Sequence, residues 1–338
     1  METMRLGRTN LQVGRTGFGA LPIQRIPLDE AVSLLTRAYA AGVTFYDTAR
    51  GYTDSEQKIG CAFASVRRNI VLATKSGAAD RKTLLQHLDT SLKTLKTDYV
   101  DVLQLHSPKA LSDPGDPESA SAGLVEARKK GAARFVGISC HRLDVTRQAV
   151  ESGLFDTVQF PLSAISDAKD LALVDLCREH DVGLIAMKAM CGGLLTDATS
   201  AFAFLRQFEN VLPIWGVQRQ SELDQFLALE ANPPALDDRM RARIEKDRVD
   251  LAGDFCRGCG YCLPCPADIP IPMAARMSLL MRRAPWRQFV TPEWREKMRR
   301  IEQCTECGQC RERCPYELDT PTLLKKMFKD YEAFLAKL

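Results

Sequence analysis

From residue 16 to about 230 the chain alternates short apolar runs with amphipathic stretches. The runs are TGFGA (16–20), VTFYDTA (43–49), NIVLATK (69–75), YVDVLQLH (99–106), FVGIS (135–139), DTVQF (156–160), VGLIAMK (182–188) and VLPIWGV (211–217). They are β-branched and nearly continuously apolar, the pattern of strands buried on both faces of a parallel sheet. The clearest helix pattern between them is KTLLQHLDTSLKTL, which puts Leu84, Leu88, Leu92 and Leu95 on one face. Gly42, Gly131 and Gly183 stand between a helix and the next strand, where a left-handed residue closes the helix. Eight βα units in succession predict a (β/α)8 barrel. An open doubly wound sheet is the other arrangement, but the GxGxxG turn it needs is absent. Gly17-Phe18-Gly19 is a lone fragment, explained by tight packing.

The pattern changes after Leu229. ANPPALDDRMRARIEKDRVD (231–250) begins with a proline pair and becomes charged, which predicts a helical connector between a barrel over 1–230 and a third segment over 251–338. That last segment holds two cysteine runs, CRGCGYCLPCP and CTECGQCRERCP, separated by helix-like stretches. It closes on an amphipathic tail with Leu323, Met327, Tyr331 and Leu335 on one face. A chain of 338 residues accommodates one large core and a small appendage. With 46 basic against 43 acidic side chains, charge makes no case for nucleic acid or a membrane surface. The N-terminal METMRLGRTNLQVGRTG lacks the apolar stretch of a secretory signal, and VGLIAMKAM is too short to span a bilayer. The expected compartment is the cytoplasm, where dense cysteines read as metal sites rather than disulfides.

Eight of the 12 cysteines lie in the two runs. The second run, C-x2-C-x2-C-x3-C-P, has the bacterial ferredoxin spacing, and the first is one residue shorter before its last cysteine. In two-cluster ferredoxins the fourth cysteine of each run serves the other cluster. One [4Fe-4S] cluster then takes Cys256, Cys259, Cys262 and Cys314, and the other takes Cys304, Cys307, Cys310 and Cys265. Structural zinc is the alternative, but zinc sites usually pair two separate C-x2-C knuckles. The C-x3-C-x2-C spacing of S-adenosylmethionine radical chemistry is absent. Cys61 and Cys177 read as small buried hydrophobes, and Cys191 as packing in its loop.

Catalytic residues of such barrels lie at the C-terminal ends of the strands. There the chain offers Asp47 and Tyr52 at the end of the second run, Lys75 at the end of the third and His106 at the end of the fourth. Reducing a carbonyl needs a hydride on carbon and a proton on oxygen. A tyrosine is a poor acid at neutral pH, and an ammonium beside it lowers its pKa. Lys75 is that cation, Asp47 keeps it charged, Tyr52 is the acid or base, and His106 orients the carbonyl oxygen.

GVTFYDTARGYTDSEQKIG, VLATKSG, SLKTLKTDYVDVLQLHSP, RFVGIS and FDTVQFPLS resemble the aldo-keto reductases over residues 4 to about 230. With the two cysteine runs, the whole chain resembles the branch of that family carrying a C-terminal helical ferredoxin-type domain. The resemblance implies NAD(P)H-dependent interconversion of a small-molecule carbonyl and alcohol. It implies that Ser139 and Gln159 hold the nicotinamide carboxamide, with Cys140 where the family usually has Asn. Lys188 and the backbone of Gly192 and Gly193 suit a pyrophosphate. The GVQRQSELDQF stretch matches the adenosine loop, with Gly216, Gln218, Arg219, Ser221 and Glu222 as its contacts and Ser221 as cap of the following helix. Phe226 replaces the usual adenine-binding Asn. Gly216 and Glu222 stand where basic contacts to a 2′-phosphate are usual, which leans toward NADH. Two further readings remain open: an enzyme that passes electrons from the barrel through its clusters, and a nicotinamide-binding regulatory module. Arg282, Arg283, Arg295, Lys297, Arg299 and Arg300 form either a solvated face or a dock for an acidic electron carrier.

Overall fold

The structure, a computed structural model, describes residues 1–253 and 255–338. Its backbone packs as two compact units: Met1–Ala189 with Ala198–Met240, and Met190–Asp197 with Arg241–Leu338.

The first unit begins with an antiparallel hairpin, β1 (Thr3–Arg5) and β2 (Gln12–Gly14). Eight strands follow: β3 (Gly17–Gly19), β4 (Phe45–Asp47), β5 (Val71–Ser76), β6 (Val100–His106), β7 (Ala133–Ser139), β8 (Thr157–Pro161), β9 (Gly183–Met187) and β10 (Val211–Gly216). They close a parallel barrel in the order β10-β3-β4-β5-β6-β7-β8-β9. After each strand comes a helix: α1 (Leu28–Ala40), α2 (Ser55–Phe63), α3 (Arg81–Leu95), α4 (Ala120–Lys129), α5 (Leu143–Glu151), α6 (Ala168–Glu179), α7 (Ala198–Arg206) and α8 (Gln220–Ala231). This is the expected (β/α)8 barrel. All six residues of β5 are buried, which is why such strands read as unbroken apolar runs.

The hairpin was not legible as strands. Met4, Leu6, Leu11 and Val13 pack with Phe45, Val71, Val102, Ile185 and Leu212 in one cluster. Phe45 and Val71 open their strands, so the hairpin covers the N-terminal end of the barrel. The C-terminal end is left for chemistry.

Helix α3 is capped by Asp80, whose Oδ1 accepts from Thr83 N at 2.8 Å, and ends on left-handed Lys96. Leu84, Leu88 and Leu95 are buried as expected, but Ser91 rather than Leu92 completes the inner stripe. Leu92 lies about 80° around the helix from Leu84, at the edge of that stripe. Gly42 and Gly131 take positive φ, as their positions predict. Gly183 does not. It opens β9, where an added Cβ would meet Leu6 Cγ at 2.8 Å, and Asp181 makes the left-handed turn instead.

In the second unit α9 (Asp238–Asp250) occupies most of the stretch read as a connector, and from Arg241 it belongs to this unit. Next come α10 (Ile271–Ala274), α11 (Met277–Arg283), α12 (Pro292–Arg299), α13 (Gln309–Glu312) and the long α14 (Thr320–Leu335). Leu323, Met327 and Tyr331 form the buried face of α14, with Leu335 half-buried at its end. Tyr331 Oη donates to Phe289 O at 2.7 Å and Ser278 Oγ to Asp330 Oδ2 at 2.9 Å, fixing α14 against its neighbours. No helix among the described residues is long and apolar enough to cross a membrane.

Candidate active site and cluster sites

Parallel pairing brings the polar strand ends together. Lys75 pairs with Gln104, His106 with Ser139, and Ser139 with Gln159 across successive strands. Lys75 Nζ, fully buried, donates to Asp47 Oδ2 at 2.6 Å and to Thr48 O at 2.7 Å. It lies 5.1 Å from the centroid of the Tyr52 ring, and that ring meets His106 edge-on at 5.8 Å. The four residues singled out in the sequence therefore share one mouth.

Burial sets their proton states. It pushes Tyr52 above the usual tyrosine range; the Lys75 ammonium pulls the other way, and Asp47 adds to the rise. The expected lowering by Lys75 is thus present but outweighed, and the phenol keeps its proton at neutral pH. Burial, helped by the Lys75 charge, drives His106 down to about 3, so its imidazole is neutral. Burial also raises Asp47, against the opposing pull of Lys75 and two glutamine amides. Three donors face it, Lys75 Nζ and the two amide nitrogens.

Those amides are Gln104 Nε2 and Gln159 Nε2, each 3.3 Å from an Asp47 oxygen. Donation to a carboxylate fixes which end of each amide is nitrogen. The two Oε1 atoms are buried with no hydrogen-bond partner among the described residues. A buried orphan acceptor at Gln159 suits the N–H of a carboxamide, so the residues present fit a nicotinamide. Ser139 is buried beside it at the end of β7, and Phe160 is buried on β8. Cys140 is also fully buried, its Sγ 3.7 Å from Pro108 O and accepting from Arg142 N at 3.3 Å.

At α8 the sequence reading needs correction. Ser221 lies inside the helix and does not cap it. Glu222 Oε2 does, accepting from Gln218 N at 2.9 Å and Arg219 N at 3.1 Å. A cleft beside this turn is lined by Asp29, Glu30, Ser33, Gln218 and Arg219. Phe226 turns inward and stacks on Trp215 at 4.4 Å. Gly216 is exposed at the end of β10. Lys188 is half-buried just past β9, and Gly192 and Gly193 are exposed, both at positive φ.

The eight run cysteines line two cavities. One is bordered by Cys265, Cys304 and Cys307, with Cys262 and Cys310. The other is bordered by Cys256, Cys259 and Cys314, again with Cys262 and Cys310. The fourth cysteine of each run thus borders the cavity of the other run, while the third cysteines lie between the two. Among the described residues no three ligating side chains converge as around a single ion. The donor set and the cavities fit multi-iron clusters, the chemistry the spacing predicts. Burial pushes the Cys262 thiol up to about 12, with Cys256, Cys259 and Cys310 adding to the rise. A coordinating metal overrides such a shift by deprotonating the thiol outright.

Of the scattered cysteines, Cys177 is buried as expected, but Cys61 is half-buried, with Lys96 Nζ 3.5 Å from its sulfur. Arg283, read as part of a basic surface, is largely buried against Asp247 and Asp250. Lys297 and Arg300 also have acidic partners.

A model described as the aldo/keto reductase family matches residues 10–211. The chain belongs to the aldo/keto reductase family. A 4Fe-4S dicluster domain model matches residues 255–319. Among curated relatives, L-galactose dehydrogenase of Arabidopsis thaliana is 30% identical over 218 residues, covering 58% of this chain and 68% of that protein. The uncharacterized oxidoreductase YqkF of Bacillus subtilis is 28% identical over 211 residues, covering 58% and 67%. An aldo-keto reductase from Klebsiella pneumoniae, solved in complex with NADPH, is 21% identical with a TM-score of 0.63, covering 72% of this chain and 94% of that one.

In this aldo/keto reductase barrel the residue missed from sequence is Gln104. Its signal was there: a polar side chain in the apolar run YVDVLQLH, two residues before His106 and hence on the same face of the strand.

Proposed function

We propose that the barrel catalyses NAD(P)H-dependent interconversion of a carbonyl and an alcohol on a small molecule. The observation that carries this reading is the buried Lys75–Asp47 pair set against the Tyr52 ring at the barrel mouth. When bound, the nicotinamide supplies the hydride to the carbonyl carbon. Tyr52 gives its proton to the carbonyl oxygen, or takes it back in the oxidation direction. The phenolate left behind is stabilised by Lys75, whose charge Asp47 holds in place. Neutral His106 donates an N–H to the same oxygen and so favours charge developing there. Gln159 orients the carboxamide through its free acceptor, while its nitrogen steadies Asp47. Lys188 and the Gly192–Gly193 backbone receive the pyrophosphate.

NADH is the preferred donor in this reading. Glu222 already occupies the N–H groups of Gln218 and Arg219, and Asp29 and Glu30 line the adjoining cleft. A 2′-phosphate there would have to displace one carboxylate and face two more.

The cysteines hold two [4Fe-4S] clusters, with Cys314 completing the set of the first run and Cys265 that of the second. The crossed lining of the two cavities supports this pairing. Their role is to hold the second unit together. The dicluster match also favours a second reading, in which electrons pass from the nicotinamide through the clusters to an acidic carrier protein.

Replacement of Tyr52 by Phe separates these readings. It is expected to lower carbonyl-dependent NAD(P)H oxidation by at least about 10²-fold while nucleotide affinity stays within a factor of about two. Carbonyl turnover at the wild-type rate would refute the proposal. Anaerobic bleaching of the clusters by NADH, unchanged in the variant, would favour electron transfer instead.

A further inference from the structure

The segment Met190–Asp197 leaves the barrel chain after β9 yet packs with the second unit. Three arginines of that unit hold it. Arg276 Nη1 donates to Gly192 O at 3.2 Å, Arg283 Nη1 to Leu194 O at 3.1 Å, and Arg243 Nη2 to Thr196 Oγ1 at 3.1 Å. Arg243 and Arg283 are in turn anchored on the buried carboxylate of Asp247, at 3.3 and 2.7 Å.

Arg276 has a second contact of a different kind. A Cβ added to Gly192 would meet its Nη1 at 2.6 Å, and a Cβ added to Gly258 would meet its Cζ and Nη1 at 3.3 Å. One guanidinium therefore lies against two glycines, each at φ +65°. Gly192 belongs to the Cys191–Gly193 turn. Gly258 sits between Cys256 and Cys259 in the first cysteine run, and its N–H donates to Cys256 Sγ at 3.3 Å. Neither glycine can gain a side chain without displacing the guanidinium or straining a left-handed backbone.

We propose that Arg276 is a positioning residue that couples the first cluster to the nucleotide. It holds the Gly192–Gly193 turn in its phosphate-binding shape only while Cys256, Cys259 and Cys262 hold iron. This rests on the reading of that turn as the pyrophosphate site. The physical chain is short. Iron fixes the Cys256–Cys259 loop, because metal binding at such a site is also folding. That loop forms one wall for the guanidinium, and the guanidinium is the charged donor to Gly192 O. Without iron the wall is lost, the donor moves, and the turn opens locally. Affinity for the nucleotide thus becomes linked to cluster occupancy, and by reciprocity bound nucleotide protects the cluster.

The test compares wild type, Arg276→Gln and Arg276→Lys, prepared without oxygen, by iron content, NADH affinity and amide hydrogen exchange over 190–197. Arg276→Gln is expected to keep its iron, bind NADH about tenfold more weakly through loss of a charge-assisted hydrogen bond, and exchange faster over 190–197. Arg276→Lys is expected to fall between it and wild type. Chelating iron from the wild type is expected to give the same two changes. Wild-type affinity and exchange in iron-replete Arg276→Gln would overturn the proposal, as would unchanged exchange over 190–197 in the iron-free wild type. If Arg276→Gln loses iron, the iron-replete lysine variant and the chelated wild type decide in the same way. A wild type that binds neither NADH nor NADPH would defeat the functional reading instead, while exchange over 190–197 would still decide the coupling.

Discussion

His106 owes its proton state to its surroundings more than to its own chemistry. Its pKa is driven from 6.5 down to about 3, first by burial and then by the Lys75 charge. The sign of the consequence follows from linkage. Below about pH 6.5 the unfolded chain binds a proton at this histidine while the folded chain stays neutral until about pH 3. Unfolding free energy therefore falls as pH drops across that window, by up to about 1.4 kcal/mol per pH unit from this group. Replacing His106 by Asn removes the contribution. Denaturant unfolding at pH 7 and pH 5 should show a smaller loss of stability on acidification in the variant than in wild type. An equal or larger loss would mean that the histidine is charged in the folded protein. In the proposed mechanism the same neutrality leaves Tyr52 as the proton donor and restricts His106 to a hydrogen bond.

At the scale of elements, the informative one is the start of α8. Glu222 closes it by accepting from two backbone N–H groups, the arrangement of a capping box. Replacing Glu222 by Ala should cost about 1 kcal/mol of stability, as the loss of an N-terminal cap does. It should also release those N–H groups to a 2′-phosphate. The ratio of the NADPH to the NADH dissociation constant is then expected to fall roughly tenfold, the worth of one or two charge-assisted hydrogen bonds. An unchanged ratio would remove Glu222 from cofactor choice. The sequence could not show this cap, because Ser221 is an ordinary capping type and only the backbone reveals that the helix has already begun. The barrel strands were legible because strands buried on both faces leave unbroken apolar runs. The β1–β2 hairpin was not, since three residues per strand are too few for a period to emerge. Tyr52, Lys75, Asp47 and His106 were legible as polar ends of apolar runs. Gln104 was hidden one turn of the pleat deeper, inside a run read as core.

At the scale of the whole molecule, the last cysteine of each run borders the cavity of the other run. Cys314 lines the cavity of the first run and Cys265 that of the second. Replacing Cys314 by Ser should therefore cost the cluster of Cys256, Cys259 and Cys262, and leave that of the second run detectable by its electron paramagnetic resonance after reduction. Loss of the second-run cluster with retention of the first would show uncrossed ligation. Crossing is a long-range property, and the spacing leads one to expect it because ferredoxin runs share that habit. The membership of Met190–Asp197 in the second unit left no trace in the sequence. It depends on Arg243, Arg276 and Arg283, which are 47 to 89 positions away from the residues they hold.

The central claim is that the barrel moves a hydride between nicotinamide and a carbonyl carbon, with Tyr52 handling the proton. It is tested most directly by following deuterium from NADH labelled at the transferable C4 position, under anaerobic conditions, across a panel of small aldehydes and ketones. The account predicts deuterium on the carbinol carbon of the product with the wild type, and none above background with Tyr52→Phe at saturating nucleotide. NADH consumed with reduction of the clusters and no deuterium in any alcohol would contradict it.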